Sequence, residues 1–168
     1  MTIGEKIKKI RTFRNMKQRD LGIALGFPEH SADNRIAQYE TNYRVPKKEA
    51  LVQIAQILDV NYQNFVEDHT GSALYIVQTF FWLEESTPGC VNLFQMVRNE
   101  GKTNANPDTS VRYYDNDDYP ARAPVGIWFN YGLANDFMKM WLEKKQQLKD
   151  GEITRDQYFD WKLKFPSN

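Results

Sequence analysis

The sequence is poor in the residues that build covalent and metal-centred chemistry. Cys90 is its single cysteine, and His30 and His69 are its two histidines. One thiol cannot close an intrachain disulfide or assemble a cysteine-based zinc site, so a reducing, cytoplasmic setting is expected. The histidines have no partner spacing, and neither a metal nor a cofactor is expected. No apolar run approaches the ~18 residues of a membrane span, and Met1 to Lys9 has no apolar signal core. Phosphate-binding glycine loops, catalytic triads and metal-ligand spacings are absent, which argues against an enzyme. Net charge is missing too. The 22 Lys+Arg balance 22 Asp+Glu, which argues against a uniformly basic nucleic-acid coat.

What is present is a core. At 41% hydrophobic and 14% aromatic residues, the chain can bury enough surface to fold. The zero net charge also resolves into two halves. Residues 1–50 hold 11 Lys+Arg against 6 Asp+Glu, and the remainder holds 11 against 16. A +5 segment is thus joined to a −5 segment, and a local basic face is what steers an anionic partner.

Periodicity predicts five short helices in the first 67 residues. Ile3, Ile7 and Ile10 share one face of the first, which starts on a Thr2/Glu5 capping box. The second runs from about Gln18 to Leu25 and stops at Gly26. The third spans about Ala32 to Tyr39 with Ser31 as N-cap. The fourth opens at Pro46 and carries Leu51, Ile54, Ala55 and Leu58, and the fifth is capped by Asn61. A polar boundary, Asp68 to Ser72, separates residues 1–68 from a second domain over 73–168. For that domain the pattern predicts a small α+β unit. It starts with a helix over Ala73–Glu85, followed by short antiparallel strands at Cys90–Val97, Val111–Tyr114 and Val125–Asn130. It ends in a helical hairpin over Leu133–Lys149 and Arg155–Phe165. The chain as a whole is therefore expected to be α+β.

Several motifs of the first 67 residues carry a resemblance. Lys17-Gln18-Arg19-Asp20-Leu21-Gly22, Ile36-Ala37-Gln38-Tyr39-Glu40, the loop from Glu40 to Pro46 with Asn42 in a glycine place, and Leu51 to Val60 follow one another in order. Together they resemble the lambda-repressor-like (Cro/cI-type, XRE) helix-turn-helix regulators. The run from Gly26 to Glu40 is similar to a subgroup carried on conjugative or phage-like elements of Firmicutes. So is the ending with Trp141, Gly151-Glu152-Ile153-Thr154, Trp161-Lys162 and Phe165-Pro166. The resemblance implies a five-helix DNA-binding domain whose third helix enters the major groove, and a transcriptional repressor acting as a homodimer on double-stranded DNA.

Residue chemistry assigns the contacts. Asn34, Arg35, Gln38 and Ser31 on the third helix are types that read base edges. Gln18 sits at the N-terminus of the second helix, where a phosphate is favoured. Lys17, Arg19, Arg44 and Lys47 are placed to reach the backbone. Nine residues separate Gly26 from Ile36, about four more than the family's turn, and they add Glu29 and Asp33. Cys90 is expected to be a small buried hydrophobe. Asp115, Asp117 and Asp118 are expected to form a solvated loop. Trp82, Tyr113, Tyr114, Trp128, Phe129, Trp141, Tyr158 and Trp161 are expected chiefly in the core. A competing expectation makes the acidic second half a module that binds and blocks a protein partner, since fold alone does not grant function.

Overall fold

The computed structural model describes residues 1–66, 72–94, 96–98, 109–111, 126–127 and 131–166. Among these, seven α-helices carry the architecture: α1 (Ile3–Phe13), α2 (Gln18–Ala24), α3 (Ala32–Glu40), α4 (Lys48–Ile57), α5 (Ala73–Ser86), α6 (Gly132–Lys149) and α7 (Arg155–Lys164). Local chemistry marks several starts. The Glu5 N–H donates to Thr2 Oγ1 at 3.3 Å and the Thr2 N–H to Glu5 Oε2 at 2.8 Å, so the expected capping box forms. Thr154 and Gln157 form the same box at the start of α7. The expected fifth helix is a single 3-10 turn, Tyr62–Phe65, capped by Asn61 Oδ1, which accepts from the Gln63 N–H at 2.9 Å.

The α+β class is overturned. Among the described residues, the second half is built from α5, α6 and α7. Val91–Phe94 joins no strand ladder; Val91 and Leu93 find cover instead against the helical aromatic cluster. Cys90, expected buried at a strand start, is exposed. Met96–Arg98 pairs antiparallel with Thr109–Val111, Met96 opposite Val111. That three-residue ladder is the full extent of strand pairing among the described residues, and a ladder of that length is not a structural layer. Of the strand expected at Val125–Asn130, only Gly126 and Ile127 are described, and both are exposed. Tyr113, Tyr114, Trp128, Phe129, the Asp115–Asp118 run, His69 and residues 68–71 of the expected boundary lie outside the described residues.

Two cores form. The first gathers Ile7 and Ile10 of α1, Leu21, Ile36, the α4 stripe Leu51, Ile54, Ala55 and Leu58, and Phe65. Trp82 of α5 and Phe159 and Leu163 of α7 complete it. The second holds Val77, Phe81, Trp141, Tyr158 and Phe165, with Phe81 edge-on to Trp141 at 4.9 Å. α5 and α7 thus feed both cores, and α7 has buried residues on two sides. Polar groups fasten the junction. Leu163 O accepts from the Asn61 N–H at 2.8 Å and from Asn64 Nδ2 at 2.7 Å. Arg14 pairs with Asp160 at 2.6 Å and donates to Leu58 O at 2.8 Å.

A half-buried charge cluster, centred on the fully buried Lys162, lies between α5, α6 and α7. Lys162, only 2% exposed, pairs with Glu84 Oε2 at 3.0 Å and with Glu85. Lys145 pairs with Glu84 Oε1 at 2.7 Å. Glu85 also reaches back to Lys9 of α1 at 2.8 Å. Tyr158 donates to Glu84 Oε2 at 2.8 Å and accepts from Trp141 Nε1 at 2.6 Å. Buried charges of this kind survive only when each is paired. Burial pushes both carboxyls up, but donation from Lys145, Lys162 and Tyr158 to Glu84 outweighs it and holds that group below its ordinary value of 4.5. Lys162 and Lys9 do the same for Glu85.

Candidate nucleic-acid interface

The site is built around how closely α3 is held. Ala32, Ile36 and Glu40 recur every four residues and are buried. That stripe leaves Asn34 and Gln38 on the opposite side of the helix, with Arg35 beside them. Two glycines allow the close approach. A Cβ on Gly22 would lie 2.5 Å from Ala32 O, so α2 meets the start of α3 backbone to backbone. A Cβ on Gly4 would lie 2.3 Å from Tyr39 O, so α1 meets its end.

Glu40 is the keystone of the other end. Its carboxylate is buried and accepts from Arg11 Nε at 2.5 Å, Arg11 Nη2 at 3.1 Å and Gln18 Nε2 at 2.8 Å. Arg11 Nη1 also donates to Met16 O at 2.6 Å. Glu40 therefore ties α1 and α2 to the end of α3, and Arg11 adds the α1–α2 connection. A carboxylate forked by a guanidinium is among the stronger and more directional contacts available. The sequence marked Glu40 only as the closing residue of a motif. Its spacing four residues after Ile36, on the buried stripe, was the signal that could have revealed it.

The loop after α3 is equally fixed. Asn42, in its glycine place, adopts φ +58°, a left-handed conformation that asparagine tolerates. Its Oδ1 accepts from the Gly4 N–H at 3.0 Å and its Nδ2 donates to Thr2 Oγ1 at 2.8 Å. The Arg44 N–H donates to Gln38 O at 3.0 Å, and Pro46 is buried.

The candidate contact residues then divide. Asn34 and Arg35 are exposed, side by side on the outer face of α3. Arg44 and Lys47 are exposed on the loop that follows, and Lys48, which the motif reading passed over, is exposed at the first position of α4. Lys17 is exposed at the N-cap of α2. None of these cations forms an ion pair with a described residue. Lys9, Arg11, Arg14, Lys145, Lys162 and Lys164, by contrast, are all paired within the fold.

The other candidates are engaged elsewhere. Gln18 is half-buried, its amide donated to Glu40. Arg19 is paired with Glu29 from the lengthened α2–α3 connection, an exposed pair. Ser31 stands at the N-cap position of α3, but its hydroxyl donates to Pro28 O at 3.2 Å and caps no helix N–H. The reason is the turn Pro28–Ser31, closed by the Ser31 N–H on Pro28 O at 2.9 Å. Gln38 is half-buried, with its Oε1 buried and unpartnered. The lengthened connection loops out over Gly26–Ser31, and only its last residues, Ala32 and Asp33, extend α3.

Among the described residues, no cluster of three or more His, Cys, Asp or Glu side chains is arranged to hold a metal. No helix among them is long and apolar enough to cross a membrane. Compared with protein-family models, curated proteins and solved structures, the chain matches none.

Proposed function

We propose that this protein binds double-stranded DNA sequence-specifically and represses transcription by occupying its site, with α2 and α3 forming a helix-turn-helix. In this reading α3 lies in the major groove. Arg35 reads guanine and Asn34 adenine, the pairings their donor and acceptor geometry favours. Lys17, Arg44, Lys47 and Lys48 hold phosphates and set the register. Gln38 and Ser31 have minor parts, because Gln38 Oε1 is buried and the Ser31 hydroxyl is donated to Pro28 O. A symmetric dimer would place half-sites about 34 Å apart or a multiple of that.

The observation that carries the reading is the contrast in charge. The cations that join the helices, Lys9, Arg11, Arg14, Lys145, Lys162 and Lys164, are matched by carboxylates, whereas Arg35 on the outer face of α3, and Lys17, Arg44, Lys47 and Lys48 on the segments before α2 and after α3, are exposed and form no ion pair with a described residue. The face itself is held rigid from three sides, by Gly22, Gly4 and Glu40.

The test is equilibrium binding of the full chain to duplex DNA across a salt series. Each phosphate contact releases counterions and contributes about −0.9 to the slope of log affinity against log salt. Arg35→Ala should weaken the preferred site by about five- to a hundredfold and relax its sequence preference. Lys47→Ala should weaken all sequences alike and lower the magnitude of the slope by about one. Binding that is indifferent to salt and to Arg35→Ala would refute the proposal.

A further inference from the structure

The loop between α3 and α4 holds a feature that phosphate contacts alone leave unexplained. Tyr43 is 78% exposed and Val45 is 70% exposed, the two most exposed large apolar side chains in the first 66 residues. They are not on a loose segment. Asn42 is pinned to Thr2 and Gly4, the Arg44 N–H is bonded to Gln38 O, and Pro46 is buried. Apolar groups displayed on rigid backbone mark a contact surface more than solvated loop chemistry does.

Their neighbours say what kind of surface they meet. Tyr43 and Val45 alternate with Arg44 and are followed by Lys47 and Lys48, all exposed and without an ion pair among the described residues. A protein surface would have to supply several carboxylates around an apolar patch. A nucleic-acid strand supplies that alternation by its nature, with an apolar sugar face between successive phosphates.

The geometry points to Tyr43 and Val45 as sugar-packing residues, laid on deoxyribose faces of the bound duplex while Arg44, Lys47 and Lys48 hold the flanking phosphates. This rests on the DNA reading above and adds to it a sequence-independent, non-ionic share of the affinity. The phenol of Tyr43 gives the larger contact, because an aromatic ring covers much area at low cost in side-chain entropy.

The two components separate in one experiment. Affinity of the full chain for a duplex selected from random sequence is measured between low and moderate salt for the native protein and for Tyr43→Ala, Val45→Ala and Lys47→Ala. Tyr43→Ala should bind about tenfold more weakly and Val45→Ala about threefold more weakly, both with the native salt slope and the native sequence preference. Lys47→Ala should lower the magnitude of the slope. Both apolar positions are exposed, so thermal unfolding should be unchanged, which excludes loss of folding as the cause. Native affinity in both apolar variants, with salt-dependent DNA binding intact, overturns the sugar-packing role and leaves the DNA reading standing. If the two variants instead change the oligomeric state in light scattering at native DNA affinity, the loop is a self-association surface and the role is likewise overturned. A native protein that binds no duplex overturns both.

Discussion

Leu163→Ala tests whether the carboxy-terminal helices are structural partners of the amino-terminal ones. Leu163 is 1% exposed and sits in one cluster with Ile7, Ile10, Leu58 and Phe65. Truncation removes apolar contact and leaves a cavity walled by helices that cannot simply collapse. Comparable buried Leu→Ala changes cost 2.7–5.0 kcal/mol, and about 3–4 kcal/mol is expected here. The hydrogen bonds that Leu163 O accepts from Asn61 and Asn64 are backbone-based on the Leu163 side and survive the change. The loss is therefore one of packing. For a chain of this size it should lower the melting temperature by roughly 6–16 °C. The informative assay is hydrogen exchange resolved by residue, run beside urea unfolding. Amides of α1 and α4, more than 100 residues away in sequence, should lose protection together with those of α7. If α7 alone loses protection while α1 and α4 keep theirs, the shared core does not couple the two halves and the reasoning fails.

Other perturbations follow from the same contacts. Glu40→Ala strands the Arg11 guanidinium and frees Gln18, at a cost of about 3 kcal/mol or more, read by urea denaturation; Glu40→Gln should recover part of the loss. Gly22→Ala forces a Cβ to within 2.5 Å of Ala32 O, so α2 and α3 must separate. Stability should fall by at least 1 kcal/mol and DNA affinity should fall with it, whereas Gly26→Ala should cost stability through its φ of +84° alone. Stability should also depend on acid. Glu84 and Glu85 are held below 4.5, so what they contribute is present above that value and is lost as pH falls through their depressed titration. Unfolding followed from pH 7 to pH 3 should show this loss, and Lys162→Met should flatten it. At the other end, burial and the adjacent Glu84 carboxylate raise the Tyr158 phenol above its ordinary value of 10 against donation from Trp141. Its contribution is complete below pH 10 and is lost above it, a loss that Tyr158→Phe should abolish.

Which parts of this molecule its sequence discloses follows from the range of the interaction involved. Helix starts rest on groups three residues apart, and Thr2/Glu5 and Thr154/Gln157 were readable for that reason. The apolar stripe of α4 and the left-handed Asn42 were equally local. The strands misled because Val91 and Leu93 have the composition of a strand, while what buries them is a cluster of helical aromatics contributed from α5, α6 and α7. The segment Arg155–Phe165 read as half of a terminal hairpin, yet its Phe159 and Leu163 fill the core of α1 and α4, a long-range choice that no local pattern encodes. At the candidate interface, exposure of Asn34 and Arg35 followed from helical period. The engagement of Gln18 by Glu40, of Arg19 by Glu29 and of Ser31 by Pro28 did not. Each depends on how the lengthened connection folds or on which neighbour a flexible side chain reaches. The balanced net charge is the same lesson in electrostatics, because the cations that matter are those left unmatched after folding.

The most direct measurement of the central claim is selection of bound duplexes from random sequence by the full-length protein, repeated with an Asn34→Ala, Arg35→Ala double variant. If α3 reads bases, the native protein enriches a defined motif containing guanine and adenine positions. The double variant, still folded, then loses preference at those positions while retaining weak salt-dependent binding. Enrichment of no motif by the native protein, or of the same motif by the double variant, contradicts base reading by α3.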